Sequence, residues 1–137
     1  MTDCIFCKII KGDIPSHKVY EDENCFVFLD IKPNNPGHSL VIPKDHFENI
    51  YTTPDETLAR MILCAKKVAV AIKNSLDADG INITMNNEEA AGQIIFHTHI
   101  HIIPRYKADG FKHFPQKSYG EGEASAVAEK IKSELEN

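Results

Sequence analysis

Three histidines fall within five residues, in the run Phe96-His97-Thr98-His99-Ile100-His101-Ile102-Ile103-Pro104. On extended backbone, side chains alternate between two faces. His97, His99 and His101 therefore share one face, and Thr98, Ile100 and Ile102 take the other. Imidazoles, mostly neutral near pH 7, can serve as nucleophile, proton carrier or metal ligand. The row is open to three readings: a solvated polar face of an edge strand, a zinc site that activates water with all three as ligands, or a site for nucleophilic catalysis. Asn86-Asn87 and Gly92-Gln93 nearby make a plain surface strand a poor explanation. A second feature is the pair Cys4 and Cys7. Three residues apart at a helix start, their thiols share a face. A redox dithiol should follow a strand in a βαβ unit, and none precedes Cys4. Structural zinc needs four ligands, so histidines would have to complete the set.

The elements that must position these groups can be read from periodicity and breakers. Residues 4–11 have helical spacing and stop at Gly12 and Pro15. Runs 18–21 and 25–29 form a hairpin around Asp22-Glu23-Asn24. Residues 32–37 are loop by composition, and 38–42 read as a third strand closed by Pro43. Thr53-Pro54-Asp55-Glu56 predicts a helix start with a Thr53/Glu56 capping box. Leu58, Met61, Ile62, Ala65, Val68, Ala69, Ile72 and Leu76 then give one apolar stripe. Residues 80–86 form a strand, 87–93 a polar loop, and 94–105 the last and longest strand. Residues 107–122 are irregular, and Ala124, Val127, Ala128, Ile131 and Leu135 mark a final helix. The pattern predicts an α+β domain, an antiparallel sheet with helices packed on one face.

The chain has 137 residues. That length suits a single domain (1–137), with its core over about 4–105 and an irregular segment and helix over 106–137. There are 15 Lys+Arg against 20 Asp+Glu, a formal net charge of −5. An acidic chain without a basic cluster is not built to grip nucleic acid. Phosphate must then be handled by neutral donors or imidazolium. No apolar run reaches the ~18 residues of a membrane span. The first residues have no basic n-region and no apolar h-region, so a cytoplasmic protein without signal peptide is expected. Cys25 and Cys64 read as small buried hydrophobes, and no disulfide framework is expected. His17 and His113 have no motif around them and read as surface residues. Arg105 and Lys107 read as a solvated strand end.

His97-Thr98-His99-Ile100-His101-Ile102-Ile103 resembles the signature of the histidine triad family, three histidines alternating with apolar positions. Leu29-Asp30-Ile31, the block from Pro36 to Lys44, Asn86-Asn87 and Gly92-Gln93 are similar to further family blocks, so the resemblance covers Cys4 to about Arg105. It is nearest to the bacterial Hint-like branch. The resemblance implies a homodimeric nucleotide hydrolase or transferase, acting on the α-phosphate of purine nucleotide conjugates such as nucleoside phosphoramidates and dinucleoside polyphosphates. It implies His99 as the nucleophile that becomes nucleotidylated, His101 as phosphate donor and His38 as a proton relay. Asn86 and Gln93 would be amide donors to phosphate, and Asp30 the acceptor of ribose hydroxyls. It also implies a structural zinc on Cys4, Cys7, His46 and His97. Ile94 departs from the pattern, since many Hint-type enzymes have Ser or Thr after the Gln. The alternative function is a zinc-stabilised nucleotide-binding or protein-interaction domain with little catalysis.

Overall fold

The computed structural model describes residues 3–136. Met1 and Thr2, where the signal-peptide expectation begins, lie outside the described residues, as does Asn137. The elements run α1 (Ile5–Lys11), β1 (Lys18–Glu21), β2 (Cys25–Leu29), β3 (Ser39–Pro43), α2 (Asp55–Leu76), β4 (Gly80–Thr84), a single 3-10 turn (Glu89–Ala91), β5 (Ile100–Arg105) and α3 (Glu123–Leu135). One five-stranded sheet is ordered β1-β2-β3-β5-β4, every neighbouring pair antiparallel. The α+β class and the antiparallel sheet are as the sequence predicts. Among the described residues, no helix is long and apolar enough to cross a membrane.

The alternation of β2 and β3 divides the core between two faces. Cys25, Val27 and Val41 join Ile100 and Ile102 under Met61, Cys64, Ala65, Val68, Ala69 and Ile72 of α2. Phe26, Phe28, Leu40 and Ile42 point the other way and meet Phe6 and Ile9 of α1. The long helix thus covers one face as expected, while α1 packs on the opposite face. The reason is that β2 and β3 are apolar on both sides, so each side needs a cover. Each large side chain buried this way contributes roughly 1.5–3 kcal/mol. Helix α3 buries none of its residues against the body.

Two local expectations change. Thr53 does not cap α2: Pro54 is the N-cap and no side chain bonds the first turn. The Thr53 hydroxyl instead lies 2.7 Å from Asn49 O and 2.7 Å from Thr98 Oγ1, so it is no longer free to reach Glu56. Asp55 and Glu56 still complement the helix dipole. The last strand begins at Ile100 rather than 94. The β3/β5 ladder ends at Val41↔Ile100. Beyond it the Thr98 N–H turns to Phe47 O, and Pro43 O is taken by the His97 side chain. At Gly37, with φ +99°, a Cβ would collide with Leu76 Cδ1, so only glycine lets the chain turn into β3 there.

Candidate active site and metal centre

The sheet face that carries α1 also carries the histidines. His101 pairs with Leu40 across the β3/β5 ladder and shares its side, while Ile100 and Ile102 point into the α2 core. His97 and His99 precede the strand but keep the alternation. The His99 ring centroid is 5.0 Å from that of His101, and the Phe6 ring touches both His97 and His99. The shared face predicted from spacing holds, although the backbone of 97–99 is not laddered.

Backbone groups fix the tautomers of His99 and His38, and His38 in turn fixes that of His101. His99 Nδ1 is 2.7 Å from His97 O. A carbonyl only accepts, so Nδ1 carries the proton and Nε2 keeps its lone pair. Asn34 N–H donates to His38 Nδ1 at 3.0 Å, which puts the His38 proton on Nε2. His38 Nε2 then donates to His101 Nδ1 at 2.9 Å, and the His101 proton is left on Nε2. Asp30 anchors one oxygen on Lys32 N–H at 2.9 Å, and its other oxygen lies 3.7 Å from His38 Nε2. Burial lowers the pKa values of His38 and His99. Burial, with His99 and His38 as neighbours, pushes His101 down to about 4. All three rings are therefore neutral near pH 7, the state in which an imidazole is nucleophilic.

His97 serves a different centre. Its Nε2–H donates to Pro43 O at 2.9 Å, which leaves Nδ1 as a free ligand atom. That atom lies 3.4 Å from Cys4 Sγ, 3.6 Å from Cys7 Sγ and 3.2 Å from His46 Nδ1, and Cys7 Sγ lies 3.4 Å from His46 Nδ1. Tetrahedral zinc with bonds of about 2.3 Å to sulfur and about 2.0–2.1 Å to nitrogen spaces such ligands about 3.3–3.8 Å apart, nitrogen pairs at the short end. The four donors therefore fit zinc in both type and spacing. The three triad imidazoles do not converge in this way. Among the described residues, the groups whose ligand atoms cluster are Cys4-Cys7-His46-His97 and Asp30-His38-His101. A water-activating zinc on His97, His99 and His101 is not supported. The second cluster is tied together by ring protons, since His38 Nδ1 is already an acceptor and its Nε2 must stay protonated.

Several expected residues have other roles. Gln93 is buried, its amide donates to Glu48 O at 2.7 Å and Ile95 O at 3.1 Å, and its carbonyl accepts from Glu88 N. It braces the loop before the triad instead of facing a phosphate. Asn86 is half-buried, and its Nδ2 lies where a Cβ on Gly92, φ +97°, would meet it at 3.5 Å. Arg105 is no solvated strand end: its guanidinium forks onto Asp109 at 2.7 and 3.0 Å and reaches Asn82 at 2.8 Å. Ile94 is exposed. His17 and His113 are exposed and Cys25 and Cys64 buried, as expected. Sequence reasoning missed Asn34, which acts through a backbone N–H and leaves no side-chain signal. It also missed Phe6, whose position between the two cysteines was the available clue.

A row of neutral histidines on one face of an antiparallel sheet fits a histidine triad domain. The family model of the HIT domain matches residues 11–108, and the chain belongs to that family. It is 54% identical to Protein hit of Bacillus subtilis over 110 residues, 80% of this chain and 76% of that one. It is 48% identical to adenylylsulfatase HINT3 of Arabidopsis thaliana over 107 residues, 78% of this chain and 54% of that one. The crystal structure of a Zn-bound histidine triad family protein from Mycobacterium smegmatis superposes with a TM-score of 0.78 at 38% identity, covering 96% of this chain and 98% of that one.

Proposed function

We propose that this protein transfers or hydrolyses nucleotidyl groups, cleaving purine nucleotide conjugates at the α-phosphate through a covalent intermediate on His99. The observation that carries the reading is the His99 tautomer: Nδ1–H held on His97 O at 2.7 Å, Nε2 free. The Nε2 lone pair attacks the α-phosphorus and forms a P–N bond. The bond to the leaving group breaks, and that group departs with the bonding pair. The imidazolium so formed keeps its Nδ1–H on His97 O, which stabilises the new positive charge. Water then attacks phosphorus in a second displacement, releases the nucleoside monophosphate and returns the pair to Nε2, its extra proton passing to solvent. His101 Nε2–H is the neutral donor for a phosphate oxygen, with the Asn86 amide beside the loop. His38 holds His101 in that tautomer. Asp30 keeps one oxygen for ribose hydroxyls while the other is anchored on Lys32 N–H.

A relative named an adenylylsulfatase is consistent with this class, an adenylyl group attacked and an anion expelled. Zinc on Cys4, Cys7, His46 and His97 would supply structure: a closed four-ligand shell leaves no position for an activated water. The exposed apolar residues Ile62, Leu63 and Val70 on α2, with Ile83 on the free edge of β4, support a homodimer. The thiols that such a cage needs suit a reducing, cytoplasmic setting.

The test is mass spectrometry after mixing with a nucleoside phosphoramidate or a dinucleoside polyphosphate. A nucleotidyl adduct on the His99 peptide is expected. Turnover with no adduct trapped on any histidine would count against the covalent route.

A further inference from the structure

We infer that Asn35 is the positioning residue of the His38–His101 pair, and that the Arg105–Asp109 turn after β5 is the platform that holds it. The inference rests on the reading of His101 as a phosphate donor, since what Asn35 secures is the tautomer of that ring.

The loop before His38 has little of its own to hold it. Residues 31–34 and Pro36 are exposed. Pro33 and Pro36 have no N–H to give. Among the described residues, 31–37 hydrogen-bond beyond 30–39 through one group alone, the Asn35 side-chain amide. Both of its hydrogens are used: Asn35 Nδ2 donates to Pro104 O at 2.9 Å and to Asp109 Oδ2 at 3.2 Å. The Asn35 carbonyl accepts from His38 N–H at 3.0 Å, and the neighbouring Asn34 N–H reaches His38 Nδ1, also at 3.0 Å. One side chain thus ties the turn around His38 to the end of the strand that bears His101.

The platform is rigid for its own reasons. The Asp109 side chain is only 6% exposed. Its two oxygens accept from Arg105 Nε at 2.7 Å, Arg105 Nη2 at 3.0 Å, Tyr106 N at 3.0 Å, Phe111 N at 3.1 Å and Asn35 Nδ2 at 3.2 Å. Only an ionised carboxylate, an acceptor at both oxygens, meets all of these donors. Arg105 is held in turn by Asn82 at 2.8 Å and lies 5.3 Å over the Phe111 ring. Four of the bonds close the turn itself, and the last reaches Asn35, 74 residues earlier in the chain.

Release of Asn35 frees the loop and, with it, the Asn34 N–H. His38 Nδ1 can then take the proton, which turns His38 Nε2 into an acceptor and reverses the bond to His101. His101 would meet a phosphate oxygen with a lone pair where the wild type offers an N–H. The turn after β5 therefore acts on the reaction through two ring protons, without touching substrate.

The experiment compares wild type, Asn35→Ala, Asn35→Asp, Asp109→Asn and Tyr106→Phe, all loaded with Zn2+. The ring 15N shifts of His38 and His101 are read on the free protein, alongside melting temperature and kcat on a nucleoside phosphoramidate. For Asn35→Ala the inference expects both rings to move toward mixed tautomers and kcat to fall by about 10-fold. Asn35→Asp is equal in size but has no N–H to give and sets a second carboxylate against Asp109, so it should lose at least as much. It also keeps the test open if Asn35→Ala does not fold. Asp109→Asn puts an NH2 among donors and should move the same two rings. Tyr106→Phe removes the hydroxyl bond to Leu76 O at 3.1 Å, a tie of the same segment that bypasses Asn35. It should lower the melting temperature and leave both rings and kcat alone. Unmoved His38 and His101 shifts in the Asn35 variants overturn the inference. So do moved shifts with wild-type kcat, or equal shifts in Tyr106→Phe. The adduct on His99 is checked separately and the tautomers are read without substrate, so failure of the covalent reading is distinguishable from failure of this one.

Discussion

His38 Nε2 donates to His101 Nδ1 at 2.9 Å, and the direction of that bond is set by a third residue, because Asn34 N–H already occupies the His38 Nδ1 lone pair. The consequence is that His101 presents an N–H, not a lone pair, from its far nitrogen. A phosphate oxygen would meet a donor there without any cation in the site.

This relationship predicts a graded series at position 38. His38→Leu removes the donor and frees the His101 tautomer, so kcat should fall by roughly 10²-fold. His38→Gln retains an amide N–H toward His101 Nδ1 and should lose clearly less. The 15N shift of His101 Nδ1 should move with kcat. Equal losses in the two variants, with no change at His101, would show that the tautomer is not what His38 contributes.

His99→Ala or His99→Gly should abolish turnover, by roughly 10³-fold or more, while fold and metal content are kept. His99 makes no bond into the cage, and its ring nitrogens engage a carbonyl and the open site. Loss of bound zinc in this variant, with activity returning on added metal, would point back to a zinc-activated water.

Much of this site was legible in the sequence, and the failures share a cause. The period of two put His97, His99 and His101 on one face, and the donor atoms of Cys4, Cys7, His46 and His97 lie together in the structure. What the sequence could not give is where backbone groups turn. Residues 94–99 read as strand because their side chains alternate, yet their hydrogen bonds go to Phe47 O and Pro43 O instead of a ladder. Gln93 has the right type for a phosphate donor, but its amide is consumed by Glu48, Ile95 and Glu88. Thr53 looks like a cap because Pro54 and Glu56 follow, and only the fold brings Thr98 to its hydroxyl. Arg105 reads as solvated until Asp109 turns back four residues later to meet it, an ion pair that holds the Asp109 carboxyl well below its ordinary range.

Cys4→Ser or Cys7→Ser should release zinc and lower the melting temperature by roughly 10 °C, since the cage joins α1 to the segments holding His46 and His97, and metal-binding energy is folding energy there. Activity should follow stability: under a chelator gradient the melting temperature falls first and the rate second. His97→Ala tests the four-ligand set directly. Its Nδ1 lies within 3.6 Å of both thiols, so metal content should drop. Tightly bound zinc unchanged in His97→Ala would sink the assignment and leave His99 as nucleophile untouched.

Ile94 stands exposed where many Hint-type enzymes have a hydroxyl, so Ile94→Ser should cost little stability. An amine leaves poorly unless protonated, whereas a phosphate leaves as an anion. The added hydroxyl should therefore raise turnover of phosphoramidates more than of phosphoanhydrides. Parallel changes for the two substrate classes would refute the leaving-group argument.

His101 also makes stability depend on pH, with a definite sign. Burial, then the neighbouring His99 and His38, lowers its pKa to about 4, against about 6.5 in an unfolded chain. Between these values the unfolded state binds more protons than the folded one, so stability rises with pH. The contribution is complete above about pH 6.5 and is lost as pH falls toward about 4. His101→Gln keeps an acceptor for His38 Nε2–H but cannot titrate. Its melting temperature should fall less steeply than wild type from about pH 6.5 to 4.5. Both proteins are compared with zinc in excess, because His46 and His97 also lose their ligand lone pairs on protonation. That loss is common to the two, and the difference between the curves belongs to His101. Parallel curves would mean that His101 is protonated in the fold as easily as in the unfolded chain, and the assignment of a neutral, donating His101 at the phosphate would fall with it.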